Sequence, residues 1–240
     1  MRAVILNSGS GRRLGELTAH MPKCLLPLAA EETILSRQLR QLTAEGVTEF
    51  VMTTGPFALT IRQYVNRLFP GLRVTYVHNP RYRTTNYIYS LFLARNACRT
   101  EGLLLHGDMV FAPPVLRKLL ASPSADAVLV KSAKRLPAKD FKGRLRRGKI
   151  TEISVNLAGQ GCLELYPVYK LSRAGWLTWM TEIERWVKMG SVGVYAEDAF
   201  NRISEKLALQ PVRLGNRLCM EIDTAEDLCR ARQRVERETA

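Results

Sequence analysis

The chain has few cysteines and no long apolar run. Its 240 residues include five cysteines, an odd number, and no two of them have the C-x-x-C spacing of a zinc knuckle or a redox pair. A disulfide framework and a structural zinc site are therefore not expected, whereas a reducing, cytoplasmic location is. No apolar stretch approaches the roughly 18 residues of a membrane span. The apolar opening at residues 3–6 is too short for a signal peptide and predicts a first strand, so no membrane partner is expected.

Acidic residues and histidines are also scarce. The chain has 22 Asp and Glu against 36 Lys and Arg, which gives a formal net charge of +14 at pH 7. Nine basic residues fall in the segment 131–149, where Asp140 is the one acid. We interpret this segment as a solvated hairpin or loop, or as a surface that attracts polyanionic nucleotides. Specific nucleic-acid binding is not expected, because no helix-turn-helix, RRM or zinc-finger pattern accompanies the charge. The three histidines lie in no nucleophile or metal pattern, and we expect His106 to be a core or loop residue.

Hydrophobic periodicity predicts an α/β fold. The chain is 46% hydrophobic and 24% charged, which is ordinary for a globular protein, and it contains no repeats. Strands and helices alternate along its first half, as is typical of βαβ units with a parallel sheet. Strands are predicted at residues 3–6, 48–53, 72–77, 101–106, 125–130, 150–155, 163–169 and 211–214. Helices are predicted at residues 33–44, 59–68, 87–97, 113–120, 173–188, 196–207 and 224–238.

A glycine-rich loop follows the first predicted strand. Residues 6–14 read L-N-S-G-S-G-R-R-L, and residues 22–27 read P-K-C-L-L-P. Glycines let backbone N–H groups approach phosphate oxygens, and Arg13 and Lys23 can grip a triphosphate and offset charge in phosphoryl transfer. The loop is not a Walker loop, because G-x-x-x-x-G-K-[ST] is absent. It is not a dinucleotide fingerprint either, because Leu14 stands where G-x-G-x-x-G needs its third glycine.

Two acidic segments predict a magnesium site. Asp108 follows the strand at 101–106, and a carboxylate fixed by a glycine turn suits Mg²⁺, which takes few protein carboxylates together with phosphate oxygens. Glu221 and Asp223 are two residues apart, so an extended backbone puts both on one face. We predict that Asp108 and Asp223 hold the metal, with Glu221 in or beside the same shell. The alternative is that Asp223 belongs to an acidic cap of the helix that begins at Thr224.

These motifs resemble those of the nucleotidyltransferase family of sugar-phosphate and choline-phosphate nucleotidylyltransferases. The family opens with L-x-x-G-x-G-x-R-L followed by P-K-x-L-x-P, and the resemblance covers most of the chain, best over residues 1–110 and 219–228. It implies a Rossmann-like three-layer αβα nucleotidyltransferase fold with a mixed, mostly parallel central sheet. It also implies that Gly9, Gly11 and Arg13 hold the NTP phosphates and that Lys23 lies between the NTP and the acceptor phosphate. The same acidic metal pair is implied.

The residues around the expected base differ from those of the sugar-phosphate members. Asn7-Ser8 replaces the usual Ala-Ala, and neither a Gly-Thr-Ala nor a Val-Glu-Lys-Pro segment is present. Asn86 and Ser90 are spaced i, i+4 at the start of a predicted helix, which is similar to the choline-phosphate cytidylyltransferase branch and lets both reach one ligand. Asn86 is also a good helix N-cap, which is the alternative interpretation. The predicted nucleotide-binding residues are Asn7, Ser8, Gly9, Ser10, Gly11, Arg13, Gly55, Asn86, Ser90 and Asp108.

An acceptor that carries a cationic amine needs aromatic faces or a carboxylate. The predicted acceptor-binding residues are Lys23, Trp176, Tyr195, Glu197 and Asp198. Two alternatives stay open. Tryptophans at helical spacing are also typical of a hydrophobic core, and Glu197 and Asp198 lie at the start of a predicted helix, where acids act as caps.

Together these observations predict a Mg²⁺-dependent cytidylyltransferase. It would transfer CMP from CTP to a small phosphate or phosphonate acceptor, such as phosphocholine or 2-aminoethylphosphonate, and release pyrophosphate. Arg13 and Lys23 are the predicted catalytic residues, acting by charge neutralisation without a covalent intermediate. We expect one domain over residues 1–240, with an NTP-binding half at 1–130 and an acceptor-binding half at 131–240. The alternatives are a hexose-1-phosphate nucleotidylyltransferase using UTP or dTTP and, less favoured, a non-catalytic nucleotide- or nucleic-acid-binding module. A homodimer is left open.

Overall fold

The computed structural model describes residues 1–133 and 135–239, which contain thirteen strands and seven α-helices. Lys134, in the basic segment 131–149, lies outside the described residues. The strands are β1 (Arg2–Asn7), β2 (Pro27–Ala29), β3 (Glu32–Thr33), β4 (Glu49–Thr54), β5 (Arg73–His78), β6 (Gly102–His106), β7 (Met109–Phe111), β8 (Ala127–Lys131), β9 (Lys142–Arg146), β10 (Lys149–Ser154), β11 (Cys162–Leu171), β12 (Gln210–Arg213) and β13 (Cys219–Glu221). The helices are α1 (Ile34–Ala44), α2 (Ala58–Leu68), α3 (Tyr87–Leu93), α4 (Pro113–Leu120), α5 (Arg173–Lys188), α6 (Ala196–Ile203) and α7 (Ala225–Thr239).

One mixed sheet forms the centre of the described part of the chain. Its strand order is β10-β9-β11-β6-β1-β4-β5, and β8 pairs with both β11 and β12. The strands β6, β1, β4 and β5 are parallel to one another, whereas β11 runs antiparallel to β6, β8 and β9. The predicted α/β fold with a mixed, mostly parallel central sheet is thereby confirmed.

Alternating side chains on each strand bury both faces of the sheet. On β1, Ala3 and Ile5 point into one hydrophobic cluster, and Val4 points into the other. The first cluster is completed by α1, α2, α4 and α7, and the second by α3, α5 and α6. Apolar runs with no polar face, such as residues 3–5 and 103–105, follow from this burial on both sides. Helices therefore cover both faces and make three layers.

Local signals position the helices close to their predicted bounds. Helix α1 begins after Thr33, whose hydroxyl accepts a hydrogen bond from the Ser36 N–H at 3.1 Å, and the chain turns at Gly46 with a φ of 81°. The helix predicted at 87–97 is shorter, because α3 ends at Leu93 and only a 3-10 turn follows at Arg95–Ala97. The short strands β7 and β13, which pair with each other, were not predicted.

The basic segment 131–149 contains a β-hairpin. Strands β9 and β10 pair antiparallel across a turn in which Arg147 has a φ of 49° and Gly148 a φ of 78°. Glycine suits this turn because L-residues rarely adopt a positive φ. In the described residues, no helix is long and apolar enough to cross a membrane.

Candidate active site

A cleft of about 440 Å³ opens at the carboxyl ends of β1 and β6. This is the edge where ligands bind in open α/β sheets. Most of the predicted site residues line it, namely Asn7, Ser8, Gly9, Ser10, Gly11, Arg13, Lys23, Asn86, Ser90, Asp108, Tyr195, Glu221 and Asp223. Gly55, Trp176, Glu197 and Asp198 are not among the lining residues.

The glycine-rich loop wraps one side of the cleft. Gly11 has a φ of 71°, and its carbonyl accepts hydrogen bonds from the Leu14 N–H at 2.9 Å and from Thr18 Oγ1 at 2.8 Å. A Cβ at Gly11 would lie 3.0 Å from the Thr18 Cβ, so both the backbone angle and the space require glycine here. Gly9 has open space where a Cβ would be, which leaves the backbone accessible to a ligand.

Gly55 has a packing role. A Cβ on Gly55 would lie 2.2 Å from the Ser8 carbonyl oxygen, so a side chain there would displace the loop. The prediction that Gly55 contacts the nucleotide is corrected by this geometry. Gly55 does not line the cleft, and it packs against the backbone of Ser8, which does.

Lys23 joins two acidic residues that are distant in the sequence. Its Nζ donates to Asp108 Oδ2 at 2.6 Å and to Asp223 Oδ1 at 2.7 Å, and Arg13 forms an ion pair with the other Asp223 oxygen. Burial alone would lower the pKa of the Lys23 ammonium, but the two carboxylates raise it above its ordinary value. Lys23 is therefore charged at neutral pH. Burial opposes the charge of Asp108 as well, but Lys23 and then His106 hold the pKa of that carboxyl below its ordinary value.

Three of the cleft residues could hold a metal ion. In the described part of the chain, His106, Asp108 and Glu221 each bring one ligand atom within 4.8 Å of the others. Asp108 Oδ1 is buried and has no hydrogen-bond partner among the described residues, although a buried carboxylate oxygen normally has one. Carboxylate oxygens are ligands that Mg²⁺ prefers, so the acidic residues fit this ion.

One expectation about this cluster is corrected. His106, expected in the core or a loop and in no metal pattern, lies instead in the cleft beside Asp108 and Glu221. In the described residues Asp223 lies outside this three-residue group, and its two carboxylate oxygens contact Lys23 Nζ and the Arg13 guanidinium. Burial and then the charge of Asp108 raise the pKa of Glu221 above its ordinary value.

The two polar residues spaced i, i+4 on α3 are held by the protein itself. The side chain of Asn86 accepts a hydrogen bond from the Tyr87 N–H at 2.7 Å, so Asn86 caps the helix, as the alternative interpretation had it. Ser90 is buried and its hydroxyl accepts a hydrogen bond from Asn79 Nδ2 at 2.9 Å. Both residues still line the cleft, so these bonds fix their orientation toward it.

Four aromatic rings form one wall of the cleft. The ring centroids of Tyr87 and His106 are 4.7 Å apart, those of His106 and Phe141 6.2 Å, those of Phe141 and Tyr195 5.1 Å, and those of Tyr195 and Tyr87 5.8 Å. The four rings therefore form a closed set in which each ring neighbours two others. We call this set the aromatic wall.

A buried carboxylate lies behind the aromatic wall. Glu197 is 0% exposed and accepts hydrogen bonds from the hydroxyls of Tyr87 and Tyr169, the latter at 2.7 Å. His106 Nε2 lies 3.9 Å from Glu197 Oε1, and His106 Nδ1 lies 4.0 Å from Glu221 Oε1. Burial lowers the pKa of His106, but these carboxylates more than compensate and raise it above its ordinary value. The wall thus has a carboxyl group close behind it, although Glu197 does not line the cleft.

Two other predicted acceptor residues lie away from the cleft. Trp176 is 1% exposed in the core between α5 and the sheet, so a direct contact between its ring and a ligand is excluded. Asp198 accepts a hydrogen bond from the Tyr195 N–H at 2.9 Å and caps α6. Trp176 therefore occupies a core position and Asp198 acts as a helix cap, which are the alternatives that the sequence left open for them.

Several residues that line the cleft are not among the predicted site residues. They include Arg12, Asn79, Tyr82, Arg83, Tyr87, His106, Lys139 and Phe141. Tyr87 directly follows Asn86, and Phe141 is the one aromatic residue of the segment 131–149, so each carried a weak signal. Lys139 and Phe141 are brought to the cleft only because β9 pairs with β11.

The whole chain matches a known family. The profile of the MobA-like NTP transferase domain matches residues 3–236. A curated relative, the CMP-5'-(3-aminopropyl)phosphonate synthase of Streptomyces rubellomurinus, is 41% identical over 128 residues, which are 53% of this chain and 20% of that protein. The CTP:phosphoglutamine cytidylyltransferase of Campylobacter jejuni is 26% identical over 152 residues, which are 60% of this chain and 58% of that protein. The matched parts thus amount to about a fifth and somewhat over half of the lengths of these relatives.

A solved structure shares the fold. The CTP:phosphocholine cytidylyltransferase of Streptococcus pneumoniae superimposes with a TM-score of 0.81 over 98% of each chain, at 16% identity. At this level of identity the likeness establishes the three-layer fold alone.

Proposed function

Because the chain belongs to the MobA-like NTP transferase domain family, we propose that it transfers CMP from CTP to a small phosphate or phosphonate acceptor. The proposal rests on one observation: Lys23 forms ion pairs with both Asp108 and Asp223 in a cleft that the glycine-rich loop also lines. The relatives support the choice of CTP and of a phosph(on)ate, since one makes a CMP-aminoalkylphosphonate and another is named for cytidylyl transfer to phosphoglutamine.

The reaction would be a single in-line displacement. An oxygen of the acceptor phosph(on)ate attacks the α-phosphorus of CTP and forms the new P–O bond. The bond between that phosphorus and the oxygen bridging to the β-phosphate breaks, and pyrophosphate leaves with that electron pair. The acceptor already carries an anionic nucleophile at neutral pH, so the protein needs no covalent residue and acts by positioning and charge neutralisation.

The cations of the cleft neutralise the phosphates in this proposal. Arg13, with Arg12 beside it, lines the cleft next to the glycine-rich loop, whose backbone N–H groups would bind the triphosphate. Lys23 lies between the two acidic residues and is charged at neutral pH, so it can approach both the α-phosphate and the incoming acceptor. For this, Lys23 exchanges its carboxylate partners for phosphate oxygens when the substrates bind.

A divalent metal belongs to the same proposal. Asp108 and Asp223 are the residues that would hold Mg²⁺, and Glu221 and His106 lie beside Asp108. The ion would supply positive charge at the phosphate oxygens where negative charge develops. Asp108 Oδ1, buried and unpartnered, supports this assignment.

The aromatic wall supports an acceptor with an organic ammonium group. Ring faces attract cations, and the buried carboxylate of Glu197 behind the wall adds to the attraction. Lys139, which also lines the cleft, is a candidate contact for the anionic end of such an acceptor. An aminoalkylphosphonate or phosphocholine would satisfy both requirements.

The proposal is tested by pyrophosphate release in the presence of Mg²⁺. CTP, UTP, dTTP, ATP and GTP are each combined with phosphocholine, 2-aminoethylphosphonate, 3-aminopropylphosphonate and glucose 1-phosphate. We expect turnover with CTP and an amino-phosph(on)ate. Turnover with glucose 1-phosphate and UTP or dTTP would favour a hexose-1-phosphate nucleotidylyltransferase instead, and no turnover with any pair would contradict the proposed activity.

A further inference from the structure

Gln38 lies beneath the turn that carries Asp108. It projects from α1 and is 1% exposed. Its Nε2 donates to the carbonyl oxygen of His106 at 3.1 Å and to that of Met109 at 2.8 Å. These two carbonyls flank Gly107 and Asp108 on either side. A single side-chain amide therefore spans the turn from one end to the other.

The remaining supports of this turn come from the backbone. The Gly107 N–H donates to the Leu6 carbonyl at 3.0 Å, and the Ile222 N–H donates to the Asp108 carbonyl at 3.1 Å. A Cβ on Gly107 would lie 1.8 Å from Asn7 Oδ1, so the turn is packed tightly against the end of β1. Among these supports, Gln38 is the one that uses a side chain to hydrogen-bond the turn itself.

The Asp108 carboxylate depends on its backbone for orientation. Within the part of the chain that the structure describes, Oδ2 accepts a hydrogen bond from the Lys23 ammonium, and Oδ1 is buried without a partner. If Lys23 moves to the substrates during the reaction, the turn alone holds the carboxylate in place. Groups that orient a metal-binding carboxylate in this way control both affinity and rate.

We propose that Gln38 is a positioning residue that fixes the Asp108 carboxylate for metal binding. This inference rests on the proposed function insofar as Asp108 is taken as a metal ligand. Gln38 lies below the turn and outside the cleft lining, so it acts on substrates only through the turn at residues 106–109.

Helix α1 itself offers a matched control. Gln41 lies three residues after Gln38, is also buried, and donates from Nε2 to the Phe111 carbonyl at 2.9 Å. The Oε1 atoms of both glutamines lack a partner, so replacing either residue removes only its donor bonds. The Phe111 carbonyl keeps a second donor in Arg37 Nε at 3.0 Å. Gln41 thus also donates a buried amide hydrogen bond to a backbone carbonyl, but that carbonyl does not belong to the turn that carries Asp108.

The test compares the variants Q38M and Q41M with the wild type. Methionine keeps an unbranched side chain of similar length and removes the amide donor. Calorimetric titration with Mn²⁺ alone, without nucleotide, measures metal affinity, and thermal unfolding measures stability. For Q38M we expect Mn²⁺ affinity and kcat to fall about 10–100-fold, the range that is usual when an outer partner of a metal ligand is lost. For Q41M we expect both to stay close to wild type.

The outcomes separate this inference from the proposed function. Equal Mn²⁺ affinities for Q38M, Q41M and wild type, or equal losses in both variants, would overturn the positioning role. If Q38M weakens Mn²⁺ binding selectively but the wild type transfers no CMP, the positioning role stands and the proposed reaction falls. Should Q38M yield no folded protein, Q38L, which is smaller and also lacks the amide donor, takes its place beside Q41L with the same expected outcomes.

Discussion

The Lys23 ammonium lies 2.6 Å from Asp108 Oδ2, although 85 residues separate them in the chain. The lysine belongs to a short 3-10 segment after the glycine-rich loop, and the aspartate follows the neighbouring central strand β6. The contact links the predicted phosphate-binding side of the cleft to the predicted metal side. The positive charge of Lys23 and the negative charge of Asp108 therefore offset each other before any substrate is bound.

Replacing Lys23 should abolish turnover and leave the protein folded. In Lys23→Met the ammonium is lost while most of the aliphatic stem remains. We expect kcat to fall by roughly 10²–10³-fold or more, which is the cost of removing one preorganised group that stabilises transition-state charge. Steady-state pyrophosphate release measures the effect, and circular dichroism checks the fold. Lys206→Ala, which removes an exposed lysine that does not line the cleft, is the control and should keep full activity. Normal turnover in Lys23→Met would contradict the site assignment.

The side chains of Asn7 and Ser8 should hydrogen-bond the nucleotide. Asn7 is 8% exposed and Ser8 7%, yet Asn7 Nδ2 and Ser8 Oγ have no hydrogen-bond partner within the described protein. Because no protein hydrogen bond is lost, Asn7→Ala and Ser8→Ala should leave the melting temperature nearly unchanged. The KM for CTP should rise, by roughly 10–100-fold where the lost bond is to a charged phosphate oxygen.

Thr54 provides the control for that experiment. Its Oγ1 is equally buried and unpartnered, but Thr54 does not line the cleft. Thr54→Val should therefore leave both stability and the KM for CTP close to wild type. A KM for CTP that is unchanged in both Asn7→Ala and Ser8→Ala would show that these atoms do not contact the nucleotide.

The buried charge of Glu197 should distinguish ammonium acceptors from neutral ones. Glu197→Gln keeps the size of the side chain and removes the charge behind the aromatic wall. We expect the KM for 3-aminopropylphosphonate to rise about tenfold, in line with the roughly 1–2 kcal/mol of a partly desolvated cation contact, and the KM for propylphosphonate to change little. Tyr169→Phe removes a hydrogen bond to Glu197 from the core side and should reduce stability without altering this preference. An identical shift for both phosphonates would argue against ammonium recognition.

The Asp108 carboxylate should make stability depend on pH at the acid end. Its pKa in the folded protein lies below its ordinary value of 3.8, so the folded state favours the charged form. The stabilising contribution is fully present above pH 3.8 and is lost as the pH falls through the lowered pKa. Urea unfolding of wild type and Asp108→Asn should accordingly differ most at neutral pH and converge as the pH falls below 3.8. A difference that grows toward acid pH would contradict the lowered pKa.

Patterns of near neighbours were enough to predict much of this protein. The alternation on β1, the Thr33 cap of α1 and the glycine of the phosphate loop are local, because backbone angles and side-chain faces depend on a few adjacent residues. The motif residues are local too: Arg13 lies in the glycine-rich loop after the first predicted strand, Lys23 in the P-K segment and Asp108 directly after the strand at 101–106. Asn86 and Trp176 show the limit, because a cap and a ligand contact, or a core ring and a cage ring, have the same sequence pattern.

Only the tertiary structure decided which distant residues share the cleft. Antiparallel pairing of β11 with β6 and β9 brings Phe141 and Lys139 to a site built mainly from the first half of the chain. The same packing joins Tyr87 to Tyr195 in the aromatic wall and buries Glu197 behind it. It also places Gln38 under the Asp108 turn, 70 residues away. Strand pairing and helix docking depend on the summed burial of both faces of the sheet. The residues next to His106 or Gln38 in the sequence therefore do not predict which distant residues these two contact.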